Sequence, residues 1–256
     1  MSERNPRDPS RDFGHVSICV CTYKRARLLG NLLKAIQLQK TDGAFSLSIV
    51  VVDNDINRSA EASVASFARE TSVYVGYFVE PVQNIALARN RAIRNAKGTY
   101  IAFIDDDEIP EESWLSTLFD ALHRFRADVV LGPVLPLYET PPPRWVIGGK
   151  FCERPRYQTG MVIDWRKGRT GNILIKRKLF DNDRNLFDSD FGSGGEDQDF
   201  ARRMIQQGYV FVWCNDARAY EIVPCSRWKR KNLLKRALIR GKMSARFPAY
   251  RPIVFA

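Results

Sequence analysis

The feature that most constrains the fold is the regular alternation of apolar segments with helix-length segments through the first half of the chain. The apolar segments, which we expect to be strands, are residues 16–20, 48–52, 73–79, 100–104 and 129–133. The segments that we expect to be helices are residues 25–39, 59–70, 84–97 and 111–125. Strands that alternate with helices form parallel βαβ units. The sequence therefore predicts a doubly wound, mostly parallel α/β sheet, with its ligand site at the carboxyl ends of the strands.

Four consecutive acidic residues follow the strand predicted at residues 100–104. They are Asp105, Asp106, Asp107 and Glu108. Adjacent carboxylates disfavour one another's ionisation unless a cation offsets the repulsion. Mg²⁺ and Mn²⁺ prefer oxygen ligands, often one or two carboxylates together with substrate phosphates. A solvated acidic turn is the alternative, but the buried character of the preceding strand favours a cation site.

Two further acidic points complete a pattern. Asp53 ends the second predicted strand, and Glu196 and Asp197 follow a glycine-rich loop and open a helix predicted at residues 196–207. Acids are common in the first turn of any helix because they complement its dipole. Together with the other acidic clusters, however, they fit a transferase. One acid would bind a nucleotide base or ribose, one a metal ion, and one would act as general base.

The composition changes after residue 132. Pro133, Pro136 and the prolines at 141–143 interrupt regular structure and mark a boundary between two halves. We expect residues 16–132 and 133–225 to be two halves of one domain, the second with strands near 170–175 and 210–213. We expect residues 1–15 to be disordered and residues 226–256 to form a basic helix and tail. Asn84 should cap the helix that follows it, and Gly98 should end that helix.

The excess positive charge lies near the C-terminus. The formal net charge is +11, and residues 227–246 contain nine Lys or Arg and no Asp or Glu. Such a segment indicates an anionic partner, either lipid headgroups or nucleic acid, and a solvated basic surface helix is the alternative. Trp228 and the leucines at 233–234 favour an anionic membrane surface. No nucleic-acid motif is present, and acids at the predicted site would repel a phosphate backbone, so nucleic acid is not expected as a partner.

The cysteines and the lengths of the apolar runs indicate where in the cell we expect the protein. The five cysteines are scattered and have no zinc spacing, which favours a reducing compartment. No signal peptide and no run long enough to span a membrane is apparent. We expect a cytoplasmic protein that is peripheral on the inner face of the cell membrane.

Five short motifs together carry a resemblance to a known family. They are Val-Ser-Ile-Cys-Val-Cys-Thr-Tyr-Lys-Arg at 16–25, Val-Val-Asp-Asn-Asp at 51–55, Asn-Ile-Ala-Leu-Ala-Arg-Asn-Arg at 84–91, Phe-Ile-Asp-Asp-Asp-Glu at 103–108 and Gly-Gly-Glu-Asp-Gln-Asp-Phe at 194–200. Over residues 16–240 the chain resembles family-two glycosyltransferases, which have the Rossmann-like GT-A fold. Residues 132–134, 143–145 and 223–227 look most like bacterial exopolysaccharide enzymes of the succinoglycan type. Some of those add glucose to a lipid-linked oligosaccharide.

The resemblance implies a role for each matching residue. Positions on the side of the nucleotide-sugar donor are Thr22, Tyr23, Asp53, Arg89, Asp105, Asp106 and Arg227. Asp53 matches the acid that binds the base, Asp105 the acid directed to the ribose, and Arg227 a basic residue near the diphosphate. Asp107 matches the metal ligand of the DXD motif. Asp197 matches the catalytic base, while Glu196 and Trp145 are assigned to the acceptor.

One departure from the family pattern concerns the metal. Many relatives have a histidine after the strand that follows the Glu-Asp helix, where this chain has Tyr220 and then Glu221. Glu221 could replace the histidine as a ligand. Alternatively, the metal could rest on Asp107, the donor diphosphate and water.

The resemblance implies an inverting, metal-dependent hexosyltransferase. It would use Mn²⁺ or Mg²⁺ and transfer a hexose, expected to be glucose from UDP-glucose, to a lipid-linked oligosaccharide or another glycan. A single general base opposite the leaving group suffices for one displacement with inversion. Two alternatives remain: a sugar-nucleotide pyrophosphorylase, which normally needs a glycine-rich loop that residues 21–27 lack, and a nucleic-acid binder that uses the basic tail.

Overall fold

The computed structural model describes residues 14–192, 194–245 and 247. The strands and helices of the first half are β1 Gly14–Thr22, α1 Ala26–Gln37, β2 Phe45–Asp53, α2 Glu61–Glu70, β3 Tyr74–Val79, α3 Ile85–Asn95, β4 Tyr100–Ile104, β5 Glu108–Pro110, α4 Trp114–Arg124 and β6 Val129–Leu131. Those that follow are β7 Val134–Tyr138, α5 Arg144–Gly148, β8 Asn172–Lys176, α6 Glu196–Gln206, β9 Phe211–Trp213, β10 Ala219–Val223 and α7 Arg230–Ser244. Every predicted strand and helix of the first half is present, with bounds shifted by a few residues.

The central sheet has seven strands in the order β3-β2-β1-β4-β8-β6-β9. Its neighbouring strands are parallel except for β8, which is antiparallel to both β4 and β6. Side chains alternate between the two faces of a strand. Ile18 therefore packs with α1, α2 and α4, while Cys19 packs on the other face with α3 and α6. The predicted doubly wound, mostly parallel sheet is confirmed.

A second sheet, which the sequence analysis missed, has three strands in the order β5-β10-β7. Strand β7 runs through Pro136, which was expected to break regular structure. The strand tolerates this proline because β7 lies at the edge of the sheet, where a missing N–H group costs no ladder hydrogen bond. Strand β10 is the central strand, and it pairs Glu221 with Glu108 on one side and with Pro136 on the other.

Two helix-end predictions have different outcomes. Asn84 caps α3 as predicted, since its side chain accepts hydrogen bonds from the backbone N–H groups of Ala86 and Leu87. Gly98 does not end that helix, which stops at Asn95. A side chain at position 98 would overlap the backbone of the neighbouring strand β1, because a Cβ there would lie 2.8 Å from the Ser17 nitrogen. Glycine at 98 therefore serves close packing of the chain against β1.

The ends of the chain are only partly described. Most of the segment that we expected to be disordered lies outside the described residues, but its last two, Gly14 and His15, form the start of β1 and correct that boundary. At the other end, Trp228 packs in a small cluster with Val146 and Val223 immediately before α7. Among the described helices, none is both long enough and apolar enough to cross a membrane.

Candidate active site

A cavity of about 1040 Å³ opens at the carboxyl ends of β1 and β4. Thr22 and Tyr23 line it at the end of β1, and residues 105–107 line it after β4. Glu221 of the second sheet and several side chains of α7 form the opposite wall. The site therefore lies where parallel strands end, as predicted for an open α/β sheet.

The loop after β1 is joined to the acidic cluster by hydrogen bonds. Thr22 Oγ1 donates to Asp106 Oδ2 over 2.7 Å, and Arg25 Nη1 donates to Asp106 Oδ1 over 3.0 Å. Burial raises the pKa of Asp106 above its ordinary value, although Thr22 and Arg25 oppose the shift. Asp106 thus fixes the position of the β1–α1 loop, and both of its oxygens are already engaged.

Arg227 lies between Asp107 and Glu221, and Arg25 also contacts Asp107. Arg25 Nη1 lies 3.0 Å from Asp107 Oδ2, while Arg227 Nη2 lies 3.9 Å from Asp107 Oδ2 and 2.7 Å from Glu221 Oε1. Burial, and then the charges of Asp105 and Glu221, raise the pKa of Asp107 to about 6. Burial also raises the pKa of Glu221, but Arg154 and Arg227 outweigh that effect and the net pKa is lowered.

The residues present are compatible with a divalent cation, but they do not form a complete site. Asp107 offers hard oxygen ligands, and neighbouring acids disfavour its ionisation, a cost that a cation would remove. Within the described part of the chain, no three His, Cys, Asp or Glu side chains are grouped to hold a metal by themselves. A metal here would therefore need oxygens from a bound ligand, as Mg²⁺ commonly does with phosphates.

The orientation of β10 decides which of its residues faces the cavity. Tyr220 points away, because its hydroxyl donates to Glu111 Oε1 over 2.7 Å. Glu221 points to the opposite side of the strand and lines the cavity. Of the two residues at the position of the family's histidine, only Glu221 is therefore available to a ligand in the cavity.

Glu108 has a different environment from the acids that precede it. It belongs to β5, its side chain is fully buried, and Arg154 Nη1 lies 3.8 Å from its Oε1. Burial, and then Asp105, raise the pKa of Glu108 well above its ordinary value. Arg154 Nη2 also lies 2.8 Å from Glu221 Oε2, so one arginine joins two acids on neighbouring strands. Sequence analysis did not identify Arg154, because the irregular segment that carries it has no periodicity to indicate where it folds.

Asp53 lies at the end of β2 but does not line the cavity. Its carboxylate is fully buried and accepts hydrogen bonds from Asp55 N, Ala60 N and the Tyr77 hydroxyl, at 3.1, 2.7 and 2.9 Å. The next residue, Asn54, does line the cavity, and its side-chain nitrogen donates to the carbonyl oxygens of residues 80 and 82. Asp53 thus orders the loop after β2, and its contact with a nucleotide base stays a prediction.

Arg89 lies on the floor of the cavity, between the acids after β4 and the start of α6. Its Nη1 donates to Glu196 Oε1, and its Nη2 lies 3.7 Å from Asp105 Oδ1. The side chains of Arg89 and Glu196 are 8% and 6% exposed, whereas that of Asp105 is 44% exposed and open to the cavity. The buried pair therefore connects the acidic strand end with the helix that carries Asp197.

Asp197 lies in the first turn of α6, after Gly195, whose φ of 91° belongs to the left-handed region that favours glycine. Burial, and then the charge of Glu196, raise the pKa of Asp197 to about 6, while Arg89 and Arg169 lower it. A carboxyl group with this pKa is mostly ionised at neutral pH and can accept a proton. Asp197 is half-buried and does not itself line the cavity.

Trp145 is a predicted site residue that, among the residues that the structure describes, has no recorded contact with the other predicted site residues. It lies on α5, is 46% exposed, and its ring packs 5.5 Å from that of Phe151. It does not line the cavity. A role in acceptor binding therefore stays a prediction for this residue.

Helix α7 forms a cavity wall that sequence analysis did not foresee. Asn232, Lys235 and Ile239, which are three or four residues apart, line the cavity. Leu234 and Leu238 point elsewhere and are 67% and 75% exposed. The basic helix thus presents polar groups and Ile239 to the cavity, and Leu234 and Leu238 to the outside.

Comparison with known proteins shows the family. The model of glycosyl transferase family 2 matches residues 17–183. The chain is 33% identical over 237 residues to the succinoglycan biosynthesis protein ExoM of Rhizobium meliloti, covering 92% of this chain and 75% of ExoM. The chain belongs to glycosyltransferase family 2.

Solved structures show the same fold. A mannosyltransferase of Pyrobaculum calidifontis, solved with GDP-Man and Mn²⁺, matches with a TM-score of 0.67 and 22% identity over 93% of this chain. TarS of S. aureus, solved with UDP, matches with a TM-score of 0.61 and 15% identity over 91% of this chain. The match spans 65% and 66% of those two chains. The GT-A fold expected from the motifs is confirmed.

Proposed function

We propose that the protein is an inverting glycosyltransferase that transfers a hexose, expected to be glucose, from a UDP-hexose to a hydroxyl group of a glycan. The observation that carries this proposal is that one cavity combines the acidic strand end at 105–107 with Arg25 and Arg227. The leaving group of such a reaction is a nucleoside diphosphate, which needs cationic partners. Relatives of the same fold were solved with UDP, UDP-GlcNAc or GDP-Man in complex.

The donor-side residues divide by their chemistry. Tyr23 is partly exposed at the cavity mouth and offers a ring face to a nucleotide base. Asp105 is directed to the ribose, and Arg227 to the diphosphate. Asp107, with Glu221, would hold Mn²⁺ or Mg²⁺, and the ion when bound neutralises charge on the leaving diphosphate.

Asp197 is proposed as the general base. The acceptor oxygen forms a bond to C1 of the hexose while the bond between C1 and the diphosphate oxygen breaks, and the hydroxyl proton passes to the Asp197 carboxylate. A hydroxyl group has a very high pKa, so a positioned base is needed to accept the proton as the bond forms. Attack on the face opposite the leaving group inverts the configuration at C1.

The acceptor is proposed to be a lipid-linked oligosaccharide of exopolysaccharide synthesis. The similarity to ExoM over most of both chains supports this assignment. Helix α7 supports it too, because one face lines the cavity while Leu234 and Leu238 are exposed on a helix rich in Lys and Arg. Such a helix binds anionic membrane surfaces. We therefore propose a peripheral location on the inner face of the cell membrane.

Donor binding provides the first test. We expect UDP to bind in the presence of Mn²⁺, as measured by isothermal titration calorimetry, and to bind much more weakly in EDTA or to the variant Asp107→Asn. Asp120→Asn serves as the matched control, because Asp120 is an exposed acid on α4. Unchanged UDP affinity in both EDTA and Asp107→Asn would contradict the metal role.

Donor choice is tested by incubation with a panel of UDP- and GDP-hexoses, with and without lipid-linked glycan acceptors from bacterial membranes. We expect UDP-glucose to release UDP fastest and the rate to rise when acceptor is added. A protein that releases a nucleoside diphosphate from none of these donors would overturn the proposed function.

A further inference from the structure

The buried ion pair between Arg89 and Glu196 joins two elements that are far apart in sequence. Arg89 lies on α3 and Glu196 on α6, 107 residues later. The guanidinium group of Arg89 also lies 3.7 Å from Asp105 Oδ1 and 5.6 Å over the ring of Phe187. Its surroundings therefore hold it in one place at the junction of three elements.

Stability alone does not account for this pair. Replacing a buried ion pair by apolar residues of similar size is often neutral or stabilising, because the cost of removing two charges from water offsets their attraction. The pair moreover lies at the floor of the cavity, next to the half-exposed Asp105. A position between the donor-side acid and the catalytic helix points to a role in the reaction.

Arg89 holds the first residue of α6 from outside the helix. The N-cap residue, Gly195, has no side chain to cap the first turn, and within that turn Asp197 Oδ1 accepts from the backbone N–H of Gln198 over 2.8 Å. Glu196 Oε2 is buried and has no hydrogen-bond partner among the described residues, so Arg89 supplies the bond at Oε1 that holds this side chain. Arg203 fixes the later part of α6 by donating to the carbonyl oxygens of residues 184 and 186.

We propose that Arg89 is a positioning residue for sugar transfer, which acts by holding Glu196 and thereby places Asp197 at a fixed separation from the donor-side acid Asp105. This inference rests on the proposed function, because it takes Asp197 as the general base. It differs from the role that the family resemblance gives Arg89, which is a contact with the nucleotide.

The charges around Asp197 support the same role. The charges that act on its carboxylate belong to Glu196 on its own helix, Arg89 on α3 and Arg169 after a 3₁₀ turn at Trp165–Lys167, and the backbone N–H of Gln198 donates to it. Glu196 raises the pKa of Asp197, and the two arginines lower it. Pairing Glu196 with Arg89 therefore limits the effect of a neighbouring negative charge on the base.

The other charged side chains packed near α6 have partners of their own. Arg166 Nε lies 2.7 Å from Asp164 Oδ1, and Lys167 lies over an aromatic ring. The short segment Asp183–Asn185 packs against the later part of α6, where Arg203 donates to the carbonyl oxygen of residue 184. After burial, Glu196 and then Arg89 have the largest effects on the pKa of Asp197, ahead of the Gln198 backbone N–H and Arg169.

The test uses the full-length protein and a variant pair that keeps size while removing both charges. Arg89→Met/Glu196→Gln leaves no unpaired buried charge, so it should fold, and thermal unfolding checks this. Arg89→Lys keeps the charge but not the paired geometry. Arg91→Met is the matched control, because Arg91 lies on the same helix and its partner is the distant Glu80.

We expect the double variant to keep the UDP affinity and the KM for UDP-glucose of the wild type, while kcat falls about 10²-fold, the typical cost of misplacing a catalytic group by 1 Å. Arg89→Lys should recover part of kcat, and Arg91→Met should behave as wild type. Calorimetry with UDP and Mn²⁺ and initial rates of UDP release give these quantities separately.

The pH profile supplies a readout that a purely structural role would not move. Glu196→Gln removes the acid that raises the pKa of Asp197 and leaves Arg89 in place. The acidic limb of the kcat profile should therefore move to lower pH. When that limb is displaced by one pH unit, the rate at a fixed acidic pH changes about tenfold.

Three results would overturn the inference while the proposed function stands. The double variant could lose UDP affinity with kcat unchanged, which would make Arg89 a nucleotide ligand. The double variant could keep wild-type kcat, or Glu196→Gln could leave the acidic limb where it is. A wild-type protein that transfers no hexose from any donor would overturn the proposed function and this inference with it.

Discussion

Replacing Asp53 by asparagine tests whether this buried acid orders a loop or binds the nucleotide base. One carboxylate oxygen accepts from Ala60 N at 2.7 Å and from the Tyr77 hydroxyl at 2.9 Å, and the other accepts from Asp55 N at 3.1 Å. An asparagine side chain has one acceptor oxygen in place of two. Its best orientation keeps the first two bonds and points its NH₂ group at the Asp55 N–H group.

The size of the effect follows from these bonds. The variant loses one charge-assisted bond, weakens two others to ordinary strength, and leaves one buried N–H group without a partner. An unpaired buried donor costs about 1–3 kcal/mol, and bonds to charged groups exceed neutral ones by about 1 kcal/mol each. We therefore expect Asp53→Asn to lower the free energy of unfolding by about 3–5 kcal/mol.

The assay is urea unfolding followed by tryptophan fluorescence, with UDP calorimetry at a temperature where the variant stays folded. Tyr77→Phe is the graded control, because it removes only one of the three bonds and should cost about 1.5–3 kcal/mol, the usual worth of a bond to a charged group. The double variant should lose less than the sum of the single losses, since both changes affect the same oxygen. A free energy of unfolding unchanged from wild type, together with lost UDP affinity, would refute the loop role and show that the carboxylate binds the base.

Three further predictions follow from the site and the fold. The rate of hexose transfer by the wild type should fall as the pH drops through about 6, because the pKa of Asp197 lies near 6 and its protonated form cannot accept a proton. The variant Asp197→Asn should transfer hexose ~10²–10⁴-fold more slowly at all pH values, while its affinity for UDP is unchanged. Gly98→Ala should lower the free energy of unfolding by about 1–3 kcal/mol through overpacking against β1, as urea titration would measure. Leu234→Gln with Leu238→Gln should reduce flotation with phosphatidylglycerol vesicles while leaving UDP affinity unchanged, and equal flotation of wild type on neutral vesicles would contradict the anionic-surface proposal.

Local sequence signals predicted most strands of the central sheet. Residues 48–52 are buried, four of the five are β-branched apolar residues, and so short a run between turn signals favours a strand over a helix. The acids at 105–107 lie at the carboxyl end of a parallel strand, so their place at the ligand edge follows from the fold class. Asn84 caps its helix through contacts two and three residues away, which a short motif encodes completely.

The partners of those acids could not be predicted, because they come from distant parts of the chain. Arg154 reaches Glu108 and Glu221 from an irregular segment, and Arg227 reaches Asp107 from beyond β10. No spacing rule relates such positions. The family resemblance placed Arg89 and Arg227 on the donor side, but the sequence did not indicate Arg25 or Arg154, or which acid each arginine contacts.

The second sheet was missed for a related reason. Glu108 was grouped with the three acids before it, since adjacency in sequence suggested one environment. A turn after Asp105 instead carries the chain into β5, where Glu108 pairs across from Glu221. Two acids directly opposite each other on neighbouring strands destabilise a sheet unless a cation joins them, and Arg154 meets that need only in the folded protein.

These contacts explain why the site can favour an anionic ligand despite its acids. Arg25 and Arg227 bind Asp107 at the cavity wall, and neither is buried away from solvent. A diphosphate is a better partner for an arginine than a carboxylate of raised pKa, because it offers more charge and a bidentate geometry. Under the proposed function, a bound diphosphate would compete with Asp107 for these arginines, and Asp107 would then be available to hold a divalent cation, which would neutralise charge on the diphosphate. On this proposal the acidic strand end and its arginines would be two parts of one binding site for a diphosphate and a cation.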